Sequence, residues 1–217
     1  MKTKTITAVA LLSFFINAAF AGNGSVGTEY ASDFFRRGAL LSEDAIQADA
    51  SYSLEVGGLD ASLSAMTNQP TANGSADTYI IDAFLSKSLL DVVNLSLGLQ
   101  HAEMVTGEAT MDIAIAFDID TLLSPSVSLY RNVDETLYTL EVGVSHDFDI
   151  KVATLSLLAN YGHSETSSAL NVDYHSLAGV LSKDISENAA LQLSVASVNS
   201  DSIERKTLVG LGINVKF

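Results

Sequence analysis

The side chains of this chain that could do chemistry are mostly carboxylates, and they recur singly along it. Glu29, Asp33, Asp49, Glu55, Asp60, Asp82, Asp112, Asp118, Glu141 and Asp147 fall at positions that share one face if the segments around them are strands. Arg37, Lys183 and Lys216 are the few bases expected on that side. A narrow aqueous enclosure lined in this way would favour cations over anions. Other chemistry has thin support. Glu43-Asp44 and Asp134-Glu135 could hold Ca²⁺ weakly, but neither has the ligand spacing of a dedicated site. Four His and no Cys leave little for a transition metal and nothing for a disulfide. No cofactor or metal site is expected. His163-Ser164, with Asn160 nearby, is the one local candidate for a hydrolase, which needs Ser and His within hydrogen-bond reach. Adjacent strand residues point to opposite faces, which separates that pair. His101 and His146 share the apolar parity, and His175 stands alone. These residues make no catalytic constellation.

The elements that must position the acids are visible in the alternation around them. From Ile46 to Val56, the residues Ile46, Ala48, Ala50, Tyr52, Leu54 and Val56 hold one face, and Gln47, Asp49, Ser51, Ser53 and Glu55 the other. A helix would smear both sets around its circumference; a strand separates them. The pattern repeats from Leu59 to Ala65, Val93 to Gln100, Met111 to Ile119, Tyr138 to Ser145 and Val209 to Phe217. Twelve strands are predicted, over roughly 25–35, 46–57, 59–68, 77–88, 92–102, 109–119, 123–131, 136–148, 152–162, 172–183, 190–198 and 206–217. Most are near the length that crosses a bilayer at a tilt.

Composition agrees. The hydrophobic fraction is 47% at a net charge of −15 and a mean hydropathy of +0.28. A disordered acidic chain would be poor in Leu, Ile and Val. So acidic a chain is not expected to bind nucleic acid through its charge. Lys2 and Lys4 precede an apolar run from Ile6 to Phe20, and Ala19-Phe20-Ala21 has the small-x-small form of a signal-peptidase site. The run is short of the ~20 residues of a spanning helix. Residues 1–21 therefore read as a signal peptide and 22–217 as one mature domain; 217 less 21 leaves 196 residues, and losing two lysines takes −15 to −17.

Gly57-Gly58, Leu90-Asp91, Asp120-Thr121 and Asp149-Ile150 read as tight turns, and Arg36–Ala45, Asn68–Ala76, Glu103–Glu108, His163–Asn171 and Asn199–Arg205 as longer polar links. Short turns at one end and longer loops at the other describe a bacterial barrel with periplasmic turns and extracellular loops. A soluble sandwich would show the same alternation. Against it stand the near-continuous apolar stripes, the hairpin-length connections, and the absence of Trp with only two Pro. The chain also stops on Phe217, on the apolar face of a good strand. That ending resembles the signal by which the barrel-assembly machinery recognises outer-membrane proteins. The fold expected is all-β, a transmembrane antiparallel up-and-down barrel. Tyr52, Tyr79, Tyr138, Phe148, Tyr161 and Phe217 share the lipid-facing parity, several near strand ends, as an aromatic girdle would.

Two stretches are similar to the TorF-type family of short porins. Ser32-Asp33-Phe34-Phe35-Arg36-Arg37-Gly38, followed by Ala45-Ile46-Gln47, resembles that family's aromatic-x-Arg-Gly segment and the Gln opening its second strand. Leu123-Ser124-Pro125-Ser126 up to Tyr130, then Tyr138-Thr139-Leu140-Glu141-Val142-Gly143, resembles its LSPS strand and the hairpin after it. The resemblance implies a small porin-like barrel and leaves the solute unstated.

From the first hairpin a charged constriction is expected. Parity sends Arg37 inward beside Asp33, and a hairpin closing over 38–45 would set Asp49 nearly opposite Asp33. Like charges across a ladder repel, so Arg37 is expected to bridge both. A salt bridge that merely stabilises the mouth stays open as the alternative. The function expected is passive diffusion of small solutes or ions through the outer membrane, cation-preferring. Its candidate lumen residues are Glu29, Asp33, Arg37, Asp49, Glu55, Asp82, Asp112, Asp118 and Glu141, with Phe217 as assembly signal. A non-conducting anchor or receptor barrel and a lipid hydrolase are the other readings. Outer-membrane lipids, the assembly machinery and small solutes are the partners expected, and a homo-oligomer is compatible.

Overall fold

The computed structural model describes residues 23–71, 77–104, 109–167 and 170–217; the leader expected over 1–21 lies outside the described residues. Twelve strands follow one another: β1 (Asn23–Arg36), β2 (Ala39–Val56), β3 (Leu59–Pro70), β4 (Thr78–Leu90), β5 (Val93–Met104), β6 (Ala109–Ile119), β7 (Ser126–Asn132), β8 (Tyr138–Asp149), β9 (Thr154–Ser167), β10 (Leu170–Ser186), β11 (Ala189–Ser200) and β12 (Ile203–Lys216). Each pairs antiparallel with its neighbours in sequence, and β1 closes on β12 from Ser25↔Lys216 to Ala31↔Gly210. The result is the closed antiparallel barrel that the alternation predicts.

The period of two decides which face is apolar. Leu97, Leu99, Ile113, Ile115, Leu129, Leu140, Val142, Leu193 and Leu211 share the outer parity, and all are exposed. Water would oppose so continuous an apolar exterior, whereas lipid accepts it. Closure gives every strand in the wall two partners, so no ladder edge faces hydrocarbon there. At the seam, Phe217 continues the ladder with Gly24 through paired backbone bonds of 3.0 and 2.9 Å, and its ring covers the Cα of Gly24.

Several expected connections are strand instead. The links placed at Arg36–Ala45, His163–Asn171 and Asn199–Arg205 were expected because they are polar, yet much of each is ladder. Strands here run past the apolar band, and a polar outer face beyond it costs nothing. Asp201-Ser202 alone joins β11 to β12. Conversely, the turns expected at Asp120-Thr121 and Asp149-Ile150 open into 120–125 and 150–153. Tight turns therefore occur at both ends of the barrel. Lys183, expected inside, faces outward: it pairs with Leu191 and shares its parity with Leu181 and Ile185, all exposed.

The first hairpin departs most from expectation. Arg37 (φ 47°) and Gly38 (φ 84°) form a two-residue turn, the mirror-image type that a hairpin's twist prefers. β1 leaves β12 after Ala31, and β2 leaves β3 before Ala45, while the two stay paired with each other up to Arg36↔Ala39. Beyond a last bond in which the Thr71 amide, just past β3, donates to the Asp44 carbonyl at 2.6 Å, the arm Ser32–Asp44 has thus left the wall's ladder on both sides. A register shift at Phe34/Phe35 and a left-handed Asp44 (φ 46°) mark where it bends.

Candidate functional site

The arm folds into the bore, and its tip reaches the far wall. Arg37 donates to Asp112 on β6 and to Gln100 on β5, both at 2.5 Å, and its guanidinium lies 4.1 Å from the ring centre of Tyr130 on β7. With twelve strands in the ring, β7 lies half a circumference from β1. Arg36 also donates to Gln100. On the other flank, Phe35 meets Tyr174 of β10 edge-to-face at 6.0 Å, and Gly38 sits against Val172 and Tyr174. A side chain at Gly38 would collide with Val172, and the positive φ also demands glycine. The Gly38 carbonyl accepts from the hydroxyls of Ser200 and Ser202 at 2.9 and 3.0 Å.

The base of the arm is held by a cation. Asp33 and Glu43 are cross-strand neighbours, and Lys206 binds both, at 2.5 and 2.8 Å. Asn68, fully buried, donates to Ser42 at 2.8 Å, and Ser32 accepts from the Val209 amide at 3.0 Å. Arg37 does not bridge Asp33 and Asp49 as expected. The tight turn pairs Asp33 with Glu43, leaves Asp49 opposite Gly27, and carries Arg37 across the bore instead. A cation does sit between two like charges, but the residues are Lys206, Asp33 and Glu43.

The remaining acids take positions along the wall. Glu29 lies over Gly210 and Gly212, whose missing side chains let it cross β12 and accept from Ser194 at 2.5 Å. Asp49 lies over Gly27 and is exposed to the lumen. Asp82 pairs with Ser64 and Gln100 in the ladder, and Glu141 accepts from the Tyr174 hydroxyl at 2.5 Å. Glu55, Asp60, Asp118 and Asp147 share the inner parity toward the end that carries the termini, as does Lys216. The arm's tip and its surroundings thus gather Arg36, Arg37, Gln100, Asp112, Glu141 and the Tyr130 and Tyr174 rings. Among these, Arg37, Asp112 and Glu141 are on the sequence-derived set; Arg36, Gln100, Tyr130 and Tyr174 are not.

Two cavities meet at the tip. A vestibule of about 680 Å³ lies toward the rim, bordered by Arg36, Arg37, Asp112, Asp134, Glu135 and Glu165. A chamber of about 270 Å³ lies below it, bordered by Arg36, Arg37, Gln100, Tyr130, Glu141 and Tyr174. His163 and Ser164 lie on opposite faces: His163 bonds Asp173 at 2.6 Å on the outside, and Ser164 meets Thr139 at 2.9 Å on the inside. They form no nucleophile–base pair. Among the described residues, no group of three or more potential metal ligands is found.

No family model matches the chain, and no curated protein matches it. Solved structures do. The KdgM porin superimposes with a TM-score of 0.62 at 12% identity, over 89% of this chain and 99% of that one, and it also matches as a complex with disordered oligogalacturonate. The NanC porin gives 0.60 at 10% identity, over 89% and 100%. The outer-membrane phospholipase A of Escherichia coli gives 0.53 at 15% identity, over 90% and 96%. The likeness establishes the architecture, a small outer-membrane type of barrel shared by channels and by an enzyme.

Proposed function

We propose that the chain is a porin-like channel of the outer membrane that passes small solutes or ions through a lumen narrowed by its own first hairpin. The observation that carries this reading is the arm Ser32–Asp44 laid across an otherwise polar bore, with a cavity on each side of its tip. A barrel serving only as an anchor could fill its interior with packed side chains. This one leaves two polar spaces separated by a charged tip. The apolar exterior fits a bilayer, and the end carrying both termini would face the periplasm, as in bacterial barrels. The two stretches similar to TorF-type porins support the same reading; one of them is the arm itself.

The lumen should prefer cations. Glu29, Asp49, Asp82, Glu141 and the acids nearer the termini line the wall and outnumber the bases, of which Lys206 is engaged by Asp33 and Glu43 and Arg37 by Asp112, with Arg36 at the tip as the base that holds no ion pair among the described residues. Wall carboxylates attract cations and repel anions, more strongly at low salt. Folded protein in planar bilayers should show discrete conductance steps in KCl, and reversal potentials across a salt gradient should report cation preference. Folded barrel without conductance would overturn the channel reading and favour an anchor or receptor.

A further inference from the structure

The rim at the end carrying the termini is divided in two. Turns that project into water are ordinarily polar, because an apolar side chain there stays hydrated and gains nothing from burial. Three neighbouring turns are not. They join β4 to β5 at 91–92, β6 to β7 at 120–125 and β8 to β9 at 150–153. Leu90 is 67% exposed, Leu122 75%, Leu123 58% and Val152 72%, and Val92 and Ile150 are exposed beside them. Backbone bonds tie the turns into one surface. The Asp120 amide donates to the Val92 carbonyl at 2.7 Å, and the Ser145 amide on β8 donates to the Leu123 carbonyl at 3.0 Å. The other two turns at this end, Gly57-Gly58 and Glu187-Asn188, carry no apolar side chain. A polar recess of about 520 Å³, bordered by Ser51, Ser53, Asn188 and Lys216, lies on their side of the rim.

A contiguous apolar patch of this kind marks a docking surface. Continuity with the lipid-facing wall names its occupant. On β6, Ile115, Phe117 and Ile119 face outward and are exposed, and only Asp120 and Thr121 separate them from Leu122 and Leu123. The wall's apolar face therefore runs on over the turn. The charges around the patch agree. Lys87 shares the outer parity of Leu85 on β4, and Lys151 lies between Ile150 and Val152. Neither lysine holds an ion pair among the described residues, and neither do Asp91 and Asp120 on the same turns. A zwitterionic phospholipid offers acyl chains, a phosphate and an ammonium together, which matches an apolar surface edged by unpaired charges of both signs. Lysine stems can lie along such a surface while their ammonium groups reach the phosphates. We propose that these three turns form a phospholipid-docking surface, seated in the leaflet on the side of the termini, while the sector with Gly57-Gly58 and Glu187-Asn188 stands in water. The seat is shallow. On β8 the outer stripe from Tyr138 to Phe148 already rises about 25 Å at a strand tilt of about 40°, close to the full height of a barrel's apolar band. The turns below it therefore lie where the chains meet the headgroups.

The inference needs the barrel in a bilayer but not a conducting one, so it stands or falls apart from the channel reading. The chain has no Trp and no Cys, so a single introduced residue of either type reports alone. Leu122→Trp, Val152→Trp and Glu187→Trp barrels, with folding checked by the heat-dependent mobility shift, are placed in phosphatidylcholine nanodiscs. Lipid brominated near the headgroup end of its chains should halve the emission of the first two at least, and leave Glu187→Trp unchanged. Lipid brominated near the middle of the chains should quench less. Because Trp itself favours interfaces, thiol labelling gives a second reading. Leu122→Cys should react with a membrane-impermeant maleimide at least threefold more slowly than Glu187→Cys. Emission untouched by brominated chains, or equal labelling at the two positions, would overturn the seat and leave the patch in water for a periplasmic protein. Equal bromine quenching at Glu187→Trp would overturn the division of the rim.

Discussion

Arg37→Ala should release the arm Ser32–Asp44 from the far wall without unfolding the barrel. The guanidinium gives Asp112 a 2.5 Å charge-assisted bond, with the two side chains 15% and 5% exposed, and it lies over the Tyr130 ring. Opposite charges about 4 Å apart at an effective dielectric of about 20 attract by roughly 4 kcal/mol. The vestibule would return water to Asp112 once Arg37 is gone, and Asn132 still donates to it at 3.3 Å. Rehydration therefore recovers a part of that loss, leaving about 2–3 kcal/mol. At about 1.4 kcal/mol per factor of ten, the undocked fraction rises by roughly 30- to 140-fold. Amide hydrogen exchange read by mass spectrometry should show that change as faster exchange in peptides covering 32–44. Peptides from β8 and β9, which never touch the arm's tip through Arg37, should be unchanged. In a double-mutant cycle, Arg37→Ala and Asp112→Ala should be strongly non-additive, since each removes the other's partner. If exchange in the arm rises less than threefold, or the two substitutions add, the tip is not held by this pair and the constriction has been misassigned.

Other outcomes follow from the same geometry. Lys206→Met should loosen the base of the arm by leaving Asp33 and Glu43 facing each other, and hydrogen exchange should localise the effect to 32–44. Asp49→Asn should reduce cation preference in reversal-potential measurements more than Asp33→Asn does, because Asp33 is already held by Lys206 while Asp49 faces the lumen. Phe217→Asp should lower the yield of folded barrel much more than Lys216→Ala, measured as the heat-sensitive mobility shift on a denaturing gel. A carboxylate there loses the cover over Gly24 and sits on the apolar face.

How much of this was legible in the sequence depends on how local the cause is. Strand number, parity and closure come from a period of two, which each segment states independently of the others, so runs such as Met111–Ile119 declare their faces unaided. β10 was harder. Leu177, Val180 and Leu181 spread apolar residues over both faces, so the sequence alone puts Lys183 inside, whereas its pairing with Leu191 turns it outward. The arm was harder still. Its polar residues Ser42, Glu43 and Asp44 look like a loop because loops are the common place for such residues, and a strand inside a wet bore is polar for the same reason. Lys206 could have been found by continuing the parity of Val209 and Leu211 three residues upstream. Arg36 and Gln100 could not, since neither parity nor spacing says that a hairpin will leave the wall. Tyr130 and Tyr174 carry the inner parity, but an inward aromatic gains its meaning only from the arginine laid against it.

The departure of the arm also explains an otherwise awkward feature of the barrel's chemistry. A lumen lined by Glu29, Asp49, Asp82, Asp112 and Glu141 with no cations would repel itself. Wall strands cannot easily supply the cations from their own inner face, because a long base there reaches its immediate neighbours and not the opposite side. A hairpin crossing the bore delivers Arg36 and Arg37 to the far wall on a backbone that meets its own hydrogen bonds within the pair β1–β2. It is anchored at its base by Lys206, by Asn68 on Ser42 and by the Val209 amide on Ser32, and at its tip by Asp112 and by the Ser200 and Ser202 hydroxyls on the Gly38 carbonyl. Leaving the wall after Ala31 costs β12 its β1 partner from Val209 to the rim, where the Ser32 hydroxyl takes the Val209 amide in place of the ladder. The same fold-in nearer the middle of the bilayer would expose that strand edge to hydrocarbon, so the level at which the arm leaves the wall is set by the membrane as much as by the lumen.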